Sequence, residues 1–269
     1  MIKDVTLGQY LPANSPIHKL DPRCKIVLIL ALIVLVFLCF NFASLLLFAA
    51  FIIVALLLTN IPLTMHLKSI KALIPIIVFT SILNAIYVST GEPLFKVFSL
   101  TITTGGVERA VFMSLRIILL ILCTGILTFT TTPNDLTDAI ERLLSPLRFI
   151  GLGNAVHVMA MMMTIALRFI PLLIEETDKI MSAQKARGAD MESGGIVKRV
   201  KAMIPLLIPL FLSAIRRATE LAEAMECRCY NGGEGRQRMK QMKFGPTDYC
   251  AFLIFLVMIG AVVALNILF

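Results

Sequence analysis

The sequence predicts an all-α integral membrane protein with about five transmembrane helices, two long Pro-kinked helices that face the cytoplasm, and a short amphipathic helix. Three observations lead to this fold class. Of the 269 residues, 58% are hydrophobic, against roughly 45–50% in soluble domains. The mean hydropathy is +0.89. The net charge is +8. Most of the Lys and Arg residues lie outside the apolar blocks, as is typical of cytoplasmic loops.

We divide the chain into residues 1–131, with a surface segment and four transmembrane helices, residues 132–243, with the cytoplasm-facing helices, and residues 244–269, with a last transmembrane helix. Residues 1–25 are polar and rich in turn signals, and they lack the apolar core of a removed signal peptide. We expect this segment to lie on the cytoplasmic membrane surface. The positive charge does not indicate nucleic-acid binding, because basic and aromatic residues do not interleave.

Four apolar runs precede residue 131. Residues 26–40 and 42–59 are near the lower length limit for a span, and Asn41 joins them as a helical hairpin. The third span is predicted over residues 72–90, with Pro75 near its start, and the fourth over residues 107–130. The polar residues before the third span favour the cytoplasmic side: His66, Lys68 and Lys71. Residues 91–106 are then an external loop.

Two arginines fall within the fourth span. Arg109 is close enough to its end for the side chain to reach the interface. Arg116 lies deeper, so we expect it to face other protein or a polar cavity. A functional role and a structural role are both open for Arg116.

A short helix follows the fourth span. Pro133 ends that span, and Asn134 or Asp135 can cap the next helix. Residues 136–144 are amphipathic and too short to cross a bilayer.

Two further apolar runs, residues 155–174 and 203–215, present the main topological choice. If both crossed, the segment between them would lie outside with its basic residues: Lys179, Lys185, Arg187, Lys198, Arg199 and Lys201. Such a loop contradicts the positive-inside rule. We therefore expect two long bent helices that begin in or near the membrane and end in the cytoplasm.

The proline kinks divide both helices at comparable distances from their ends. Sixteen residues separate Pro171 from Arg187, and nineteen separate Pro209 from Arg228. At ~1.5 Å per residue, these segments are about 24 and 28 Å long. Gly188 suits the C-terminal cap of the first helix, and Asn231-Gly232-Gly233 is expected to end the second. The basic run 236–243 then marks the cytoplasmic border, and residues 249–269 form the fifth span, which leaves the C-terminus outside.

No catalytic motif, cofactor motif or metal site is predicted. The glycine-rich stretch 232–235 lacks the Lys-Ser/Thr of a nucleotide-binding loop. Cys227 and Cys229 have no second pair or nearby His, so two small residues flanking an Arg is the better interpretation. His157 stands among methionines, so soft-metal ligation is one interpretation. A flexible, Met-rich packing face is the favoured one.

The two helix ends carry the same pattern. Aligned on Arg187 and Arg228, both read Ala-x-x-small-Arg-small, with the small positions filled by these residues: Ala183, Ala186 and Gly188, then Ala224, Cys227 and Cys229. A solvated Arg at a helix end is the simple interpretation of either one. Two matched cases favour docking, because small neighbours let a partner approach and desolvate a guanidinium that can bind a carboxylate bidentately.

These motifs resemble the Ala-Arg-Gly motifs of the transmembrane T component of energy-coupling factor (ECF) transporters. Ala186-Arg187-Gly188 matches in full, whereas Cys227-Arg228-Cys229 keeps only the Arg. The family's N-terminal signature is similar to the stretch from Ser15 to Arg23, and two further stretches fit: Arg168-Phe169-Ile170-Pro171 and Ala224-Met225-Glu226. The resemblance covers nearly the whole chain.

The resemblance implies a scaffold that transmits the motion of two cytoplasmic ATPases to a substrate-binding S component in vitamin or micronutrient uptake. It implies crossed coupling helices, no cofactor on this chain, and ATP used by the partners. The ATPase-coupling residues would be Ala186, Arg187, Gly188, Cys227, Arg228 and Cys229. We expect S-component contacts from Met159, Met162, Met163, Pro171, Pro205 and Pro209 on the apolar stretches 159–173 and 204–212. The alternatives are a conventional importer permease, which offers one coupling helix per subunit, and a membrane enzyme, which needs clustered polar residues in its spans.

Overall fold

The computed structural model describes residues 10–88, 90, 92–97, 100–146, 151, 153–189, 195–231 and 242–268. Within these residues the chain forms eight α-helices and one β-hairpin. In chain order they are α1 (Pro22–Leu38), α2 (Phe42–Leu58), α3 (Leu63–Tyr87), β1 (Pro93–Val97), β2 (Leu100–Thr103), α4 (Thr104–Thr130), α5 (Pro133–Leu144), α6 (Gly153–Ala186), α7 (Ile196–Glu226) and α8 (Pro246–Leu268). The predicted all-α membrane fold is confirmed, with the small hairpin added to it.

The chain folds into two compact units. One unit takes the described residues of Gly8–Leu136 and Gln241–Phe269, and the other takes those of Thr137–Lys240. Three features interpreted from the sequence lie wholly or largely outside the described residues: residues 1–9, the glycine-rich stretch 232–235 and the basic run up to residue 241.

The core of the first unit lies where α1, α2, α4 and α8 meet. Each helix contributes a side chain with no exposed surface: Val36, Phe48, Cys123 and Val262. Lipid is as apolar as these side chains, so the hydrophobic effect does not draw helices together within a bilayer. Close packing of side chains such as these does so instead. α4 packs against α1, α2 and α3.

The first two helices follow the predicted hairpin closely. α1 and α2 have 17 residues each, and Asn41 lies between them in extended conformation. The carbonyl of Asn41 accepts a hydrogen bond from Ser44 Oγ at 2.8 Å, which holds the turn into α2.

The third helix begins earlier than predicted. α3 starts at Leu63 and continues through Pro75, which therefore lies in the helix interior and not near its start. Three polar residues predicted to precede the span are part of the helix: His66, Lys68 and Lys71. His66 is buried, with its ring 5.0 Å from that of Phe129. A propensity argument misses this contact because it depends on the tertiary partner α4.

The predicted external loop 91–106 contains ordered secondary structure. β1 and β2 pair antiparallel, and α4 begins at Thr104. Thr103 Oγ1 accepts a hydrogen bond from the Gly106 N–H at 3.2 Å and donates one to the Val88 carbonyl at 2.8 Å. A Cβ on Gly106 would lie 2.7 Å from that same carbonyl, so only glycine fits this approach between α3 and α4.

The N-terminal signature ties α1 to α8. Asp21 caps α1 by accepting from the Arg23 N–H at 2.9 Å, and it pairs with the Arg23 guanidinium at 2.8 Å. The Asp21 N–H donates to Asp248 Oδ1 at 2.8 Å, and the Gly245 N–H donates to Asp248 Oδ2 at 2.7 Å. The guanidinium of Arg23 also lies 4.4 Å from the ring centre of Phe244.

The same signature ties α1 to α4. Lys25 Nζ donates to the carbonyl of Thr130, the last residue of α4, at 2.9 Å, and to the carbonyl of His18 at 3.3 Å. A cation at a helix C-terminus is favourable because it meets unpaired carbonyls and the negative end of the helix dipole.

Arg116 faces protein, as predicted. Its Nη2 donates to the carbonyl of Cys39 at 2.6 Å, and its guanidinium lies 4.7 Å from the ring centre of Phe112. Cys39 is the C-terminal cap of α1, so the Arg116 side chain satisfies a helix-end carbonyl. These contacts support the structural alternative for Arg116.

The cap of α5 differs from the prediction. Thr132, and not Asn134 or Asp135, is the capping residue: its Oγ1 accepts from the Asp135 N–H at 3.1 Å and donates to Asp135 Oδ2 at 2.9 Å. Pro133 then fills the first helical position, where a missing N–H costs nothing.

The second unit contains the two longest helices. α6 has 34 residues and α7 has 31, and the helical assignment continues through Pro171, Pro205 and Pro209. The predicted apolar runs are therefore the central parts of longer helices. α7 ends at Glu226, five residues before the predicted stop at Asn231.

Among the described residues, five helices are long and apolar enough to cross a membrane: α3, α4, α6, α7 and α8. The number agrees with the prediction, but the membership differs. The prediction counts α1 and α2, which have 17 residues each, and excludes α6 and α7. Length and apolar composition do not separate α6 and α7 from spans; the prediction excluded them on the position of their basic residues.

Candidate functional site

The end of α6 forms a Schellman turn around Arg187. Gly188 has φ +85°, in the left-handed region that glycine adopts without strain. The Gly188 N–H donates to the Lys185 carbonyl and the Ala189 N–H donates to the Gln184 carbonyl, both at 3.0 Å. These are the two bonds that define the motif. The predicted role of Gly188 as the helix cap is confirmed.

The end of α7 forms the same turn around Arg228. Cys229 has φ +55° and takes the place of the glycine. Its N–H donates to the Glu226 carbonyl at 2.9 Å, and the Tyr230 N–H donates to the Met225 carbonyl at 3.0 Å. A non-glycine residue in this region costs roughly 1–2 kcal/mol, so the fold tolerates strain at Cys229 to close the turn.

Each turn has an Arg directly before its left-handed residue. Both of these residues, Arg187 and Arg228, are exposed. Arg187 directly follows the last helical residue of α6, whereas Cys227 lies between Arg228 and the end of α7. A cation is favourable at a helix C-terminus, which stabilises each Arg in place. Each guanidinium therefore belongs to an exposed residue at the end of a long helix. Such a group can bind a carboxylate through two parallel hydrogen bonds.

The predicted S-component residues lie on the first halves of the same helices. Met159, Met162 and Met163 are exposed on α6, as is Pro171. On α7, Pro205 is exposed and Pro209 is half-buried. From Met163 to Arg187 is twenty-four residues, or about 36 Å along a straight helix. The methionine face and the arginine turn are thus distant parts of one continuous helix.

Neither of the two metal-binding interpretations that the sequence leaves as alternatives gains support among the described residues. His157 Nδ1 lies 3.0 Å from Glu141 Oε1, so this ring links α6 to α5. Cys227 and Cys229 are exposed free thiols. Within the described part of the chain, no group of three His, Cys, Asp or Glu side chains is placed to hold a metal ion.

The sequence interpretation missed an ion pair between α6 and α7. Arg217 Nη2 donates to Glu176 Oε2 at 2.9 Å, and both side chains are half-buried. Arg217 Nε is buried without a hydrogen-bond partner among the described residues. One signal was available in the sequence, since Glu176 precedes Arg187 by eleven residues and Arg217 precedes Arg228 by eleven residues.

Comparison with known proteins identifies the family. A sequence model of the cobalt transport protein family (CbiQ) matches residues 13–240. The chain is 48% identical over 261 residues to the energy-coupling factor transporter transmembrane protein EcfT of Clostridium kluyveri, covering 96% of both chains. The proteins of the same name from Ruminiclostridium cellulolyticum and Bacillus subtilis are 50% and 44% identical over 248 residues, with 92% of this chain covered.

The chain belongs to the energy-coupling factor transporter transmembrane protein family.

As an ECF transporter transmembrane component, the chain is a multi-pass membrane protein, and the resemblance drawn from its motifs is confirmed. The relatives are named as transporter components, which does not favour a conventional permease or a membrane enzyme. The family match over residues 13–240 covers α6, α7 and both arginine turns. These turns are the candidate functional site of this family member.

Proposed function

We propose that Arg187 and Arg228 are the docking groups for two cytoplasmic ATPases, and that α6 and α7 transmit ATP-driven motion to a substrate-binding S component for vitamin or micronutrient uptake. The observation that carries the proposal is the pair of matching Schellman turns, each with an exposed Arg directly before its left-handed residue. Cys229 closes the second turn at a φ that is unfavourable for a residue other than glycine, so both helix ends have the same kind of turn although only the first has a glycine.

In this proposal the chain binds no cofactor and hydrolyses no ATP, and the ATPases supply the energy. Each guanidinium enters a groove on one ATPase and binds a carboxylate. The small neighbours of each Arg allow close approach: Ala186 and Gly188 on α6, Cys227 and Cys229 on α7. Truncating one member of a desolvated charge pair costs about 2–5 kcal/mol, so two truncations weaken docking by several orders of magnitude.

The arrangement in the bilayer follows from the basic residues around α6 and α7. Lys179, Lys185 and Lys201 belong on the cytoplasmic side by the positive-inside rule, together with both arginine turns. The N-terminus then lies inside and the C-terminus outside. A reporter fused after residue 269 that is active only outside the cytoplasm checks this orientation.

The docking test uses the tagged full-length chain produced with the two ATPases and an S component. The double variant Arg187→Ala with Arg228→Ala is expected to lose the ATPases on purification and to abolish uptake, while the S component is retained. Lys179→Ala with Arg216→Ala is the matched control, because both side chains are exposed cations on the same two helices. Full assembly and uptake by the arginine double variant would refute the docking role.

The S component is assigned to the apolar stretches 159–173 and 204–212. Support comes from the exposed, conformationally adaptable methionines Met159, Met162 and Met163. Cysteines placed at these positions are expected to cross-link to the S component in membranes. A cysteine at Ile53, equally exposed on α2, is the control. Equal cross-linking from Ile53, or none from the methionine positions, counts against the assignment.

A further inference from the structure

The ion pair between Glu176 and Arg217 has a particular position on the two long helices. Each member lies eleven residues before the Arg of its own helix end. α6 and α7 are continuous over these segments, so the distance from the pair to each arginine turn is about 16 Å at ~1.5 Å per residue. The helical segment from each member of the pair to its arginine turn is called an arm, and the two arms are therefore equal in length.

The geometry of the contact allows rotation and resists sliding. Arg217 uses Nη2 to bind Glu176, while its Nε is buried and has no hydrogen-bond partner among the described residues. The planar guanidinium can therefore exchange one donor for the next as the helices turn about the contact. Sliding one helix past the other by a single turn, about 5.4 Å, breaks the pair and leaves two half-buried charges apart.

The contact is also poorly suited to a role in stability alone. A buried donor without a partner costs free energy, and a partly exposed ion pair contributes little to stability. A pair selected for stability alone would use two donors of the guanidinium, Nε and Nη2, in a bidentate contact with the carboxylate. The spare donor has a physical use if the angle between α6 and α7 changes.

We propose that Glu176 and Arg217 are positioning residues that form the pivot of the two coupling helices. The pair holds α6 and α7 at one point, so displacement of the two arginine turns becomes rotation about that point and not sliding. Equal arms give equal displacement at the two ATPase-docking turns. This inference rests on the proposed function, because the turns must be moved by partners for a pivot to act.

The test measures distances between spin labels in the assembled complex with its ATPases and S component. One label pair, Glu175→Cys with Arg216→Cys, reports the pivot; each residue is exposed and directly precedes one member of the ion pair. The other pair, Ser182→Cys with Glu223→Cys, reports the arms; both residues are exposed, five positions before their Arg, and lie outside the docking pattern. The exposed native thiols Cys227, Cys229 and Cys250 are replaced first, with Gly at residue 229.

Between the nucleotide-free complex and the complex trapped with ATP, the arm distance is expected to change by at least about 5 Å, roughly one helical turn. The pivot distance is expected to change by less than half as much. A pivot distance that changes as much as the arm distance overturns the proposal. If neither distance changes while the ATPases copurify, both the pivot and the proposed transmission fail; if the ATPases do not copurify with the unlabelled chain, the docking proposal fails first.

A second set of variants separates positioning from stability. Glu176→Gln and Arg217→Gln are each expected to keep the ATPases bound and to broaden the pivot distance distribution about twofold, since a neutral partner holds less tightly. The swap Glu176→Arg with Arg217→Glu should narrow it again, as a directly coupled pair does in a double-mutant cycle. If the single variants only lower the thermal midpoint of the complex and leave the distance distributions unchanged, the pair is merely stabilising and the proposal is wrong.

Discussion

The backbone N–H of Asp21 donates a hydrogen bond to the carboxylate of Asp248, although 227 residues separate them in the sequence. The bond fixes the first turn of α1 against the first turn of α8 within the first unit. The second carboxylate oxygen of Asp248 accepts from the Gly245 N–H. A single buried side chain thus satisfies two backbone donors at the start of two helices.

Replacing this carboxylate should destabilise the first unit. Asp248→Ala leaves the buried Asp21 N–H and the partly buried Gly245 N–H without their acceptor. A buried donor without a partner costs about 1–3 kcal/mol. We expect a lower thermal unfolding midpoint in detergent and a lower yield. Tyr249→Ala removes an exposed neighbour on the same helix and serves as the control. Equal midpoints for the two variants would show that the Asp248 bonds contribute nothing.

The contacts of Arg116 lead to a second prediction, that this side chain has a structural role. Arg116→Leu leaves the Cys39 carbonyl without its donor and removes the stacking over Phe112. We expect destabilisation by about 1–3 kcal/mol. Uptake per amount of folded complex should be unchanged, because the contacts of this side chain are made to its own chain. Arg109→Leu, an exposed cation in the same helix, is the control. Loss of uptake at normal stability would restore the functional alternative.

Much of the fold follows from apolar content together with the positions of the basic residues. The hairpin of α1 and α2, the position of α8 and the long helices in residues 153–226 were predictable because a bilayer demands long apolar helices. The early start of α3 was not predictable, since His66 is accommodated by contact with Phe129 on another helix. The bond from Asp21 to Asp248 was also inaccessible, because local sequence carries no record of a partner 227 residues away.

The candidate site was predictable in part, for a local reason. Gly188 predicts a left-handed helix cap, because glycine is the residue that adopts positive φ without strain. Cys229 adopts the same conformation, but cysteine is not typical of it. The sequence therefore predicts the end of α7 too late, at Asn231. The pairing of Glu176 with Arg217 needed the relative register of two helices, which the sequence does not contain.

The N-terminal signature predicts a pH dependence through His18. Its Nε2 lies 3.0 Å from the Leu11 carbonyl and its Nδ1 lies 2.7 Å from Ser15 Oγ, an arrangement that suits the neutral ring. Burial lowers the pKa of His18 below its usual value of 6.5, and the charge of Lys25 acts in the same direction. The unfolded chain therefore binds more protons, so this contribution to stability is present above pH 6.5 and is lost as the pH falls through the lowered pKa.

The measurement compares thermal unfolding midpoints in detergent at pH 7.5 and about 5.5, on either side of the unfolded pKa of His. The parent chain is expected to lose more stability than His18→Asn over this range. Lys19→Gln, an exposed neighbour, should keep the parent's pH dependence. An identical pH dependence for the parent and His18→Asn would rule out the buried neutral ring as its source.

The two arginine turns respond in opposite directions to changes at their left-handed residues. Gly188→Ala has open space for its Cβ but must adopt φ +85°, so the turn around Arg187 is strained by about 1 kcal/mol. Cys229→Gly removes a similar strain from the turn around Arg228. Since 1 kcal/mol corresponds to roughly a fivefold change in an equilibrium, ATPase binding should weaken in the first variant and strengthen in the second by about that factor.

A matched control separates the shape of the turn from general stability. Gly151 also has positive φ, +83°, and open space for a Cβ, but it lies outside both turns. Gly151→Ala therefore introduces the same backbone strain without altering an arginine. It should lower the thermal midpoint as Gly188→Ala does, while ATPase retention after a salt wash stays at the parent level. If Gly151→Ala and Gly188→Ala lose the ATPases equally, retention reports stability alone, and the presentation of Arg187 by its turn is not what the ATPase reads.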